Sequence, residues 1–338
     1  MTVAIARVGA PPTLESLVVE TGEEPSVGPG QIKVRWRALS LNFHDYAVAA
    51  GLMPADGGRI PVSDGAGEVL EVGDGVTAWK PGDHVMSTFF PDWIDGEPTL
   101  ETTTRVLGDS VDGCAAEVSV LPEGWVTRMP EGWSFQEAAT LPCAGVSAWR
   151  ALYDIADLQP GQSVLVQGSG GVSIFALQFA KATGATVYAT TSSDEKAQKL
   201  RDLGADHVVN YRTDETWGDT VRDLTEGGVD LVVEVGGPDT IGQSIAACRY
   251  GGHIVLVGLL TGMDATIFLP ALMYKQQRLR PLACASHAHQ EQFVEFLSTV
   301  DVKPVIDRSF AFSEIGDALG HLVAGKHFGK ITIDLEKD

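Results

Sequence analysis

The chain has 338 residues, 44% of them apolar, with 38 glycines, a size and composition that predict two domains of a soluble α/β protein rather than one. Its 45 acidic residues against 24 basic ones leave a net charge of −21, which repels nucleic acid and anionic membranes, so neither is expected as a partner. No apolar run approaches the roughly 20 residues of a membrane helix, and the N-terminus lacks the apolar core of a signal peptide, so a cytoplasmic location is expected.

Residues 1 to about 127 read mainly as β-structure. Gln31 to Leu39 alternates apolar and charged residues, the period of a half-buried strand. Gly67 to Val72 and Asp83 to Met86 continue the pattern, with turns at Gly73-Asp74-Gly75 and Pro81-Gly82. Between them lie Asn42-Phe43-His44-Asp45-Tyr46 and Ser63-Asp64, polar and titratable groups in apolar surroundings. Phe89, Phe90 and Trp93 open a long irregular stretch to about Asp112, either a binding loop or a surface excursion with its own aromatic cluster.

Ser134 caps an expected helix with Glu137 in its first turn, and a second helix runs from Ala148 to Ile155. Then comes the most informative stretch, Ser163 to Thr191. A short apolar run leads into Gly168-Ser169-Gly170-Gly171-Val172, an apolar helical segment follows, and Thr186 to Thr190 is again strand-like. Strand, glycine turn, helix, strand is the unit that receives a dinucleotide pyrophosphate on backbone N–H groups at a helix N-terminus. Six strand candidates, at 163–168, 186–191, 207–210, 230–235, 253–258 and 279–285, predict a doubly wound parallel six-stranded sheet. The tail after residue 285 has helix and strand signals but no sheet of its own, so it is expected to complete the first domain. The expected division is 1–127, 128–285 and 286–338. The four cysteines are widely spaced in the sequence, which suggests neither a disulfide framework nor a zinc knuckle.

Taken in order, these motifs resemble the medium-chain dehydrogenase/reductase superfamily, on its zinc-free quinone-oxidoreductase side. The resemblance rests on Ser40 to Asp45, Gly67-Glu68-Val69, Pro81 to Val85, Ala138 to Cys143, the glycine turn, Leu203 to Asp206, Asn210-Tyr211, Asp230 to Gly236 and His327 to Lys330. It implies a GroES-like β-rich catalytic domain, a Rossmann domain, a nicotinamide cofactor in the cleft and a homodimer. Zinc-dependent members hold their metal with a Cys, a His and a second Cys or Asp. Against their flanking motifs, the positions here are Asn42, Ser63 and Cys143, so only one ligand-type side chain remains and no metal is expected.

NAD-preferring Rossmann proteins place an acid about 20 residues past the glycines; here that place falls at Thr191, followed by Ser192 and Ser193. With no acid to repel a 2′-phosphate, hydroxyls of Thr191 and Ser192 and the Lys196 ammonium favour NADPH over NADH. The resemblance adds Tyr211 at the adenine end, Ser147 beside the nicotinamide and Phe328-Gly329-Lys330 as a C-terminal cofactor contact. Ser169, Gly170, Gly171 and Val172 face the pyrophosphate, and Gly236, Val257 and Leu259 lie at strand carboxyl ends where ligands bind open α/β sheets.

Without a metal, hydrogen-bond donors must stabilise the charge that develops as hydride is accepted. Delocalisation makes this easier for quinones and α,β-unsaturated carbonyls than for simple ketones. Asn42, His44, Tyr46 and Ser63 are the candidate donors, Asp45 an orienting group, and Phe89, Phe90 and Trp93 a candidate substrate pocket. Each also has a plainer reading: Asn42 and Asp45 as loop braces, His44 as a satisfied histidine, the aromatics as core. The expected function is a zinc-independent, NADPH-dependent reduction of quinones or α,β-unsaturated carbonyls by hydride transfer. The alternatives are a zinc-free alcohol dehydrogenase or carbonyl reductase, and a nicotinamide-nucleotide-binding protein without turnover.

Overall fold

The computed structural model describes residues 1–53 and 55–337. The chain divides into two compact units, and the second is an insertion in the first. Unit one comprises Met1–Val146, Cys284–Thr299 and Lys303–Asp338; unit two comprises Ser147–Ala283 with Val300–Val302.

Unit one begins with β1 (Thr2–Arg7) and β2 (Val18–Glu23), paired antiparallel. It continues with β3 (Gln31–Ser40), β4 (Asp64–Val72), β5 (His84–Ser87), β6 (Val118–Pro122) and β7 (Val126–Arg128). Unit two holds β8 (Ser163–Gln167), β9 (Thr186–Thr191), β10 (His207–Asn210), β11 (Val229–Glu234), β12 (Cys248–Leu256) and β13 (Arg278–Pro281). After the return to unit one come β14 (Ile306–Ala311) and β15 (Lys330–Asp334).

Among the described residues, the larger sheet of unit one runs β14-β15-β3-β4-β5-β7, with β6 also on β3. Alternation in β3 puts Ile32, Val34 and Trp36 into the core with Val69, Val85, Phe310 and Ile333, as the period of two requires. Register fixes what meets at one end of its central strands. Ser40 at the end of β3 pairs with Asp64 at the start of β4 and with Thr332 in the middle of β15, two residues after Lys330. Residues near 41, 63 and 330 therefore meet.

In unit two the order β10-β9-β8-β11-β12-β13 is parallel throughout and reverses direction at β8/β11, the expected doubly wound sheet. The central strands β8 and β11 carry short apolar runs, and Leu165, Val232 and Ile254 are buried in one cluster with Trp217, Val221, Ile241 and Ile245.

The chain first crosses between units at Val146/Ser147, not at 127/128. The reason is the helix Phe135–Ala139, capped reciprocally by Ser134 and Glu137, which packs on β3, β4 and β15 and so belongs to unit one. The expected second helix, 148–155, is irregular: wide turns at Leu141–Gly145 and Arg150–Ile155 flank a short α segment. Among the described residues, no helix is long and apolar enough to cross a membrane.

Candidate active site

In unit one, Asn42 occupies the N-cap position of the helix Phe43–Ala49, yet its side chain makes no cap bond. The amide is used elsewhere. Lys330 Nζ donates to Asn42 Oδ1 and to the Leu41 carbonyl, both at 2.6 Å. Asn42 Nδ2 reaches Ser63 Oγ at 3.4 Å, and Ser63 Oγ donates to Asp64 Oδ1 at 2.8 Å. Asp64 Oδ2 accepts the Cys143 N–H at 3.2 Å. All but Cys143, which is half-buried, are buried.

The ammonium settles the amide's orientation. Only Oδ1 accepts from Lys330, so Nδ2 is the free donor end, with one hydrogen beyond the long contact to Ser63. Asp45, also buried, braces the backbone instead: Oδ2 accepts from Asn42 N–H at 2.7 Å and Oδ1 from Ser63 N–H at 2.9 Å. Burial pushes the Asp64 carboxyl up to about 6, with Lys330 pulling it back down.

Lys330 is brought there by its neighbours. Gly329 has φ +88°, and a Cβ on it would lie 2.2 Å from the Val305 carbonyl oxygen, so only glycine serves. Asp307 accepts from Phe328 N–H at 3.0 Å, and Phe328 is buried. The Lys330 ammonium is thus committed within unit one, where the resemblance implied a cofactor contact.

His44 Nε2 lies 3.3 Å from Asp109 Oδ2, and His44 Nδ1 lies 3.9 Å from Asp45 Oδ1 without a hydrogen-bond partner. Burial alone would lower the imidazole's pKa, but the two carboxylates outweigh it and raise it to about 9. This direction favours the imidazolium over the neutral ring at neutral pH. Phe89 meets it edge-on at 5.1 Å and, half-buried, leads to Phe90 and then Trp93, both buried. Trp93 closes the chain against His289 and donates to the Gly96 carbonyl. The excursion 89–112 is pinned by His287 and Ala288 N–H groups, which donate to the Trp93 and Ile94 carbonyls. Tyr46 packs its ring on Phe43 and the core.

In unit two, Gly168 has φ +71° and turns the chain after β8. The helix Gly171–Ala182 starts at Gly170 with no side-chain cap, and a Cβ built on Gly170 would meet nothing within 4 Å. Open space over uncapped N–H groups is what a pyrophosphate needs, and Ser169, Gly171 and Val172 border it. At the end of β9, Thr191 is buried with Oγ1 unpartnered, Ser192 follows, and Lys196 lies in the first turn of the helix Asp194–Asp202. Tyr211 is exposed, and its N–H donates to the Thr191 carbonyl. These groups suit a nicotinamide dinucleotide. Ser147 is buried.

Sequence reasoning passed over Glu234. Fully buried at the end of β11, it accepts from Gly236 N–H at 2.7 Å, Gly237 N–H at 2.9 Å, Thr240 Oγ1, Gln167 Nε2 at 2.9 Å and Ser244 Oγ. It ties the turn at Gly236 to the residue before Gly168, and its own carbonyl accepts from Val257 N–H. Leu259, two residues on, is exposed. Asp64 and Asp109 were not singled out as site residues either. The signal for Asp64 was its place beside Ser63, whereas Asp109 sits in an irregular loop without a local pattern.

Comparison with known proteins agrees with this architecture. The alcohol dehydrogenase GroES-like domain family matches residues 28–131, and the zinc-binding dehydrogenase family matches residues 171–300. A zinc-type alcohol dehydrogenase-like protein of Schizosaccharomyces pombe is 36% identical over 95% of this chain and 96% of its own. A solved Sinorhizobium meliloti 1021 structure, assigned as an alcohol dehydrogenase, is 37% identical with a TM-score of 0.92, covering 99% and 98% of the two chains. A 2-octenoyl-CoA carboxylase reductase, solved with NADP and 2-octenoyl-CoA, is 25% identical with a TM-score of 0.87, covering 98% and 87%. With both of its units matched and relatives aligned along nearly its full length, the chain belongs to the medium-chain dehydrogenase/reductase superfamily of NAD(P)H-dependent oxidoreductases.

Proposed function

We propose that this oxidoreductase is a zinc-independent, NADPH-dependent reductase of quinones or α,β-unsaturated carbonyls. The observation that carries the reading is the Lys330 ammonium seated 2.6 Å from Asn42 Oδ1. Zinc requires about three N, S or carboxylate donors and an ionised thiol. At the corresponding positions stand an amide whose oxygen is already taken by a cation, a hydroxyl that donates to Asp64, and a thiol whose pKa is raised. An added divalent ion would meet the ammonium's repulsion. The donor set does not fit zinc.

Bound NADPH supplies the hydride. Asn42 Nδ2, held by Lys330, offers a fixed N–H to a carbonyl oxygen as negative charge gathers on it. Ser63 accepts from that amide and donates to Asp64, so its own proton is not offered. His44 keeps a proton at neutral pH beside Phe89, and serves as the proton source for the enolate or hydroquinone oxygen. One hydrogen-bond donor with no metal suits an acceptor that delocalises its own charge, and a structural neighbour solved with an enoyl thioester supports that class.

NADPH is favoured by Thr191, Ser192 and Lys196 in the absence of an acid at the end of β9. A homodimer is favoured by β13, an edge strand flanked by exposed Met263, Phe268, Leu269, Met273 and Tyr274; light scattering at micromolar concentration tests it. The function itself is tested by rapid mixing of NADPH-loaded protein with quinones, enones, aldehydes and ketones, with metal analysis of the same preparation. Saturable oxidation by quinones or enones in zinc-free protein is expected. Turnover of simple aldehydes and alcohols alone points instead to an alcohol dehydrogenase, and stoichiometric zinc overturns the donor-set argument.

A further inference from the structure

Cys143 and Cys284, remote in sequence, are neighbours in unit one. Cys284 Sγ lies 3.3 Å from the carbonyl oxygen of Pro142, the residue before Cys143, and the Cys284 side chain is the first cause of a Cys143 thiol pKa raised well above its ordinary value. Cys143 belongs to the wide turn Leu141–Gly145 and is half-buried, while Cys284 is buried. Cys284 is also held at φ +45°, a left-handed conformation that costs a residue with a side chain on the order of 1 kcal/mol or more. It is the first residue after the chain returns from unit two, and Cys143 lies just before the chain leaves for it. A strained backbone that brings one thiol onto another is not explained by packing, for which a small residue without sulfur would do.

We propose that Cys143 and Cys284 form an oxidisable dithiol, which a hydroperoxide converts to an intramolecular disulfide and a dithiol reductant restores. Cys143, the less buried of the two residues, attacks hydrogen peroxide; the O–O bond breaks, one water leaves and a sulfenic acid forms. Cys284 Sγ then displaces its hydroxyl: the S–S bond forms, the S–O bond breaks and a second water leaves. Two thiols and one hydrogen peroxide give one disulfide and two waters, and two electrons pass from the sulfurs to the peroxide. With Cys284 Sγ already against the Pro142 carbonyl, the two sulfurs must close to about 2.05 Å. Cys143 is kept as the thiol by its hydrogen bond with Cys284, by burial and by the nearby Asp64 carboxyl, so the reaction is slow and needs excess peroxide. Closing the bond moves the turn whose Cys143 N–H holds Asp64, and so disturbs the polar cluster.

The test treats the full chain with excess hydrogen peroxide, alkylates the remaining thiols and maps peptides without reduction. The Cys143 and Cys284 peptides are expected to be linked within one chain, Cys114 and Cys248 alkylated, and the link reversed by dithiothreitol. Phenylarsine oxide, which bridges paired thiols, should bind one equivalent to untreated protein. Cys284→Gly suits the left-handed backbone; it should keep its melting temperature and lose both the link and the arsenical. Alkylation of both cysteines after peroxide, linkage to Cys114, Cys248 or another chain, or a sulfinic acid on Cys143 as the end product would each overturn the assignment. Turnover in the linked protein should fall about tenfold and return on reduction, and unchanged turnover would overturn the coupling to Asp64. That last readout rests on the reductase reading, whereas the sulfur mapping does not.

Discussion

The two units carry their functional groups in opposite ways. In unit two the dinucleotide cradle is backbone: one continuous stretch, Gln167 to Val172, turns at Gly168 and leaves uncapped N–H groups over open space. In unit one the site is made of polar and charged side chains, gathered from residues 42, 63, 64 and 330 because the end of β3 and the starts of β4 and β15 come together at one end of the sheet. A backbone site tolerates wide change around its glycines. A charge-balanced site depends on every partner, since a buried ion left alone is far costlier than the pair was favourable.

The sharpest way to break that contrast is Lys330→Met. It leaves Asn42 Oδ1 and the Leu41 carbonyl without their donor and Asp64 without its cation, and should cost about 3–5 kcal/mol of stability. With the amide free to turn, turnover should fall by about a hundredfold, as for loss of one oxyanion donor. NADPH affinity, a property of unit two, should change little. Chemical denaturation, steady-state kinetics and cofactor titration measure the three quantities. A variant as stable and active as the parent would mean that Asn42 needs no ammonium to orient it.

The same contrast decides what could be read from the sequence. The strands of unit two and the turn at Gly168 were legible because apolar runs and glycines are local signals, and every strand candidate there has its counterpart among β8 to β13. Asn42 and Ser63 were legible only through the flanking motifs of a family. What Lys330 touches was not: its contact with Asn42 spans the length of the chain and follows from strand register. The pairing of Cys143 with Cys284, the Asp109 partner of His44 and the five donors on Glu234 were hidden for the same reason. The domain boundary moved because Phe135–Ala139 packs backwards onto the first sheet, which helix signals alone do not reveal.

A smaller effect should appear in stability against pH. The imidazole of His44 is raised from 6.5 to about 9, so its contribution is full below pH 6.5 and is lost as the pH rises through 9. At most it is worth on the order of 3 kcal/mol. The carboxyl of Asp64, raised to about 6, contributes below about pH 4 and loses that contribution by pH 6. Unfolding free energies from pH 6.5 to 9 should therefore decline, and the decline should flatten in His44→Gln and shrink in Asp109→Asn. An unchanged slope in both variants would show that the imidazole is neutral near pH 7.

The smallest effect concerns unit two and asks whether side chains add anything to its backbone cradle. A 2′-phosphate brings negative charge to a protein of net charge −21, so its recognition must be local. Near the end of β9 stand the unpartnered Thr191 hydroxyl, Ser192 and, in the first turn of the next helix, Lys196, and one charge-assisted contact is worth about 1.5–3 kcal/mol. Lys196→Ala should weaken NADPH binding about tenfold, roughly 1.4 kcal/mol, and leave NADH within twofold. Thr191→Asp should act by repulsion and weaken NADPH while offering the ribose hydroxyls of NADH a carboxylate. Fluorescence titration of each variant with both nucleotides separates the two effects. Equal losses for both nucleotides in Lys196→Ala would assign that lysine to the adenosine as a whole and leave NADPH preference to the Thr191 and Ser192 hydroxyls alone.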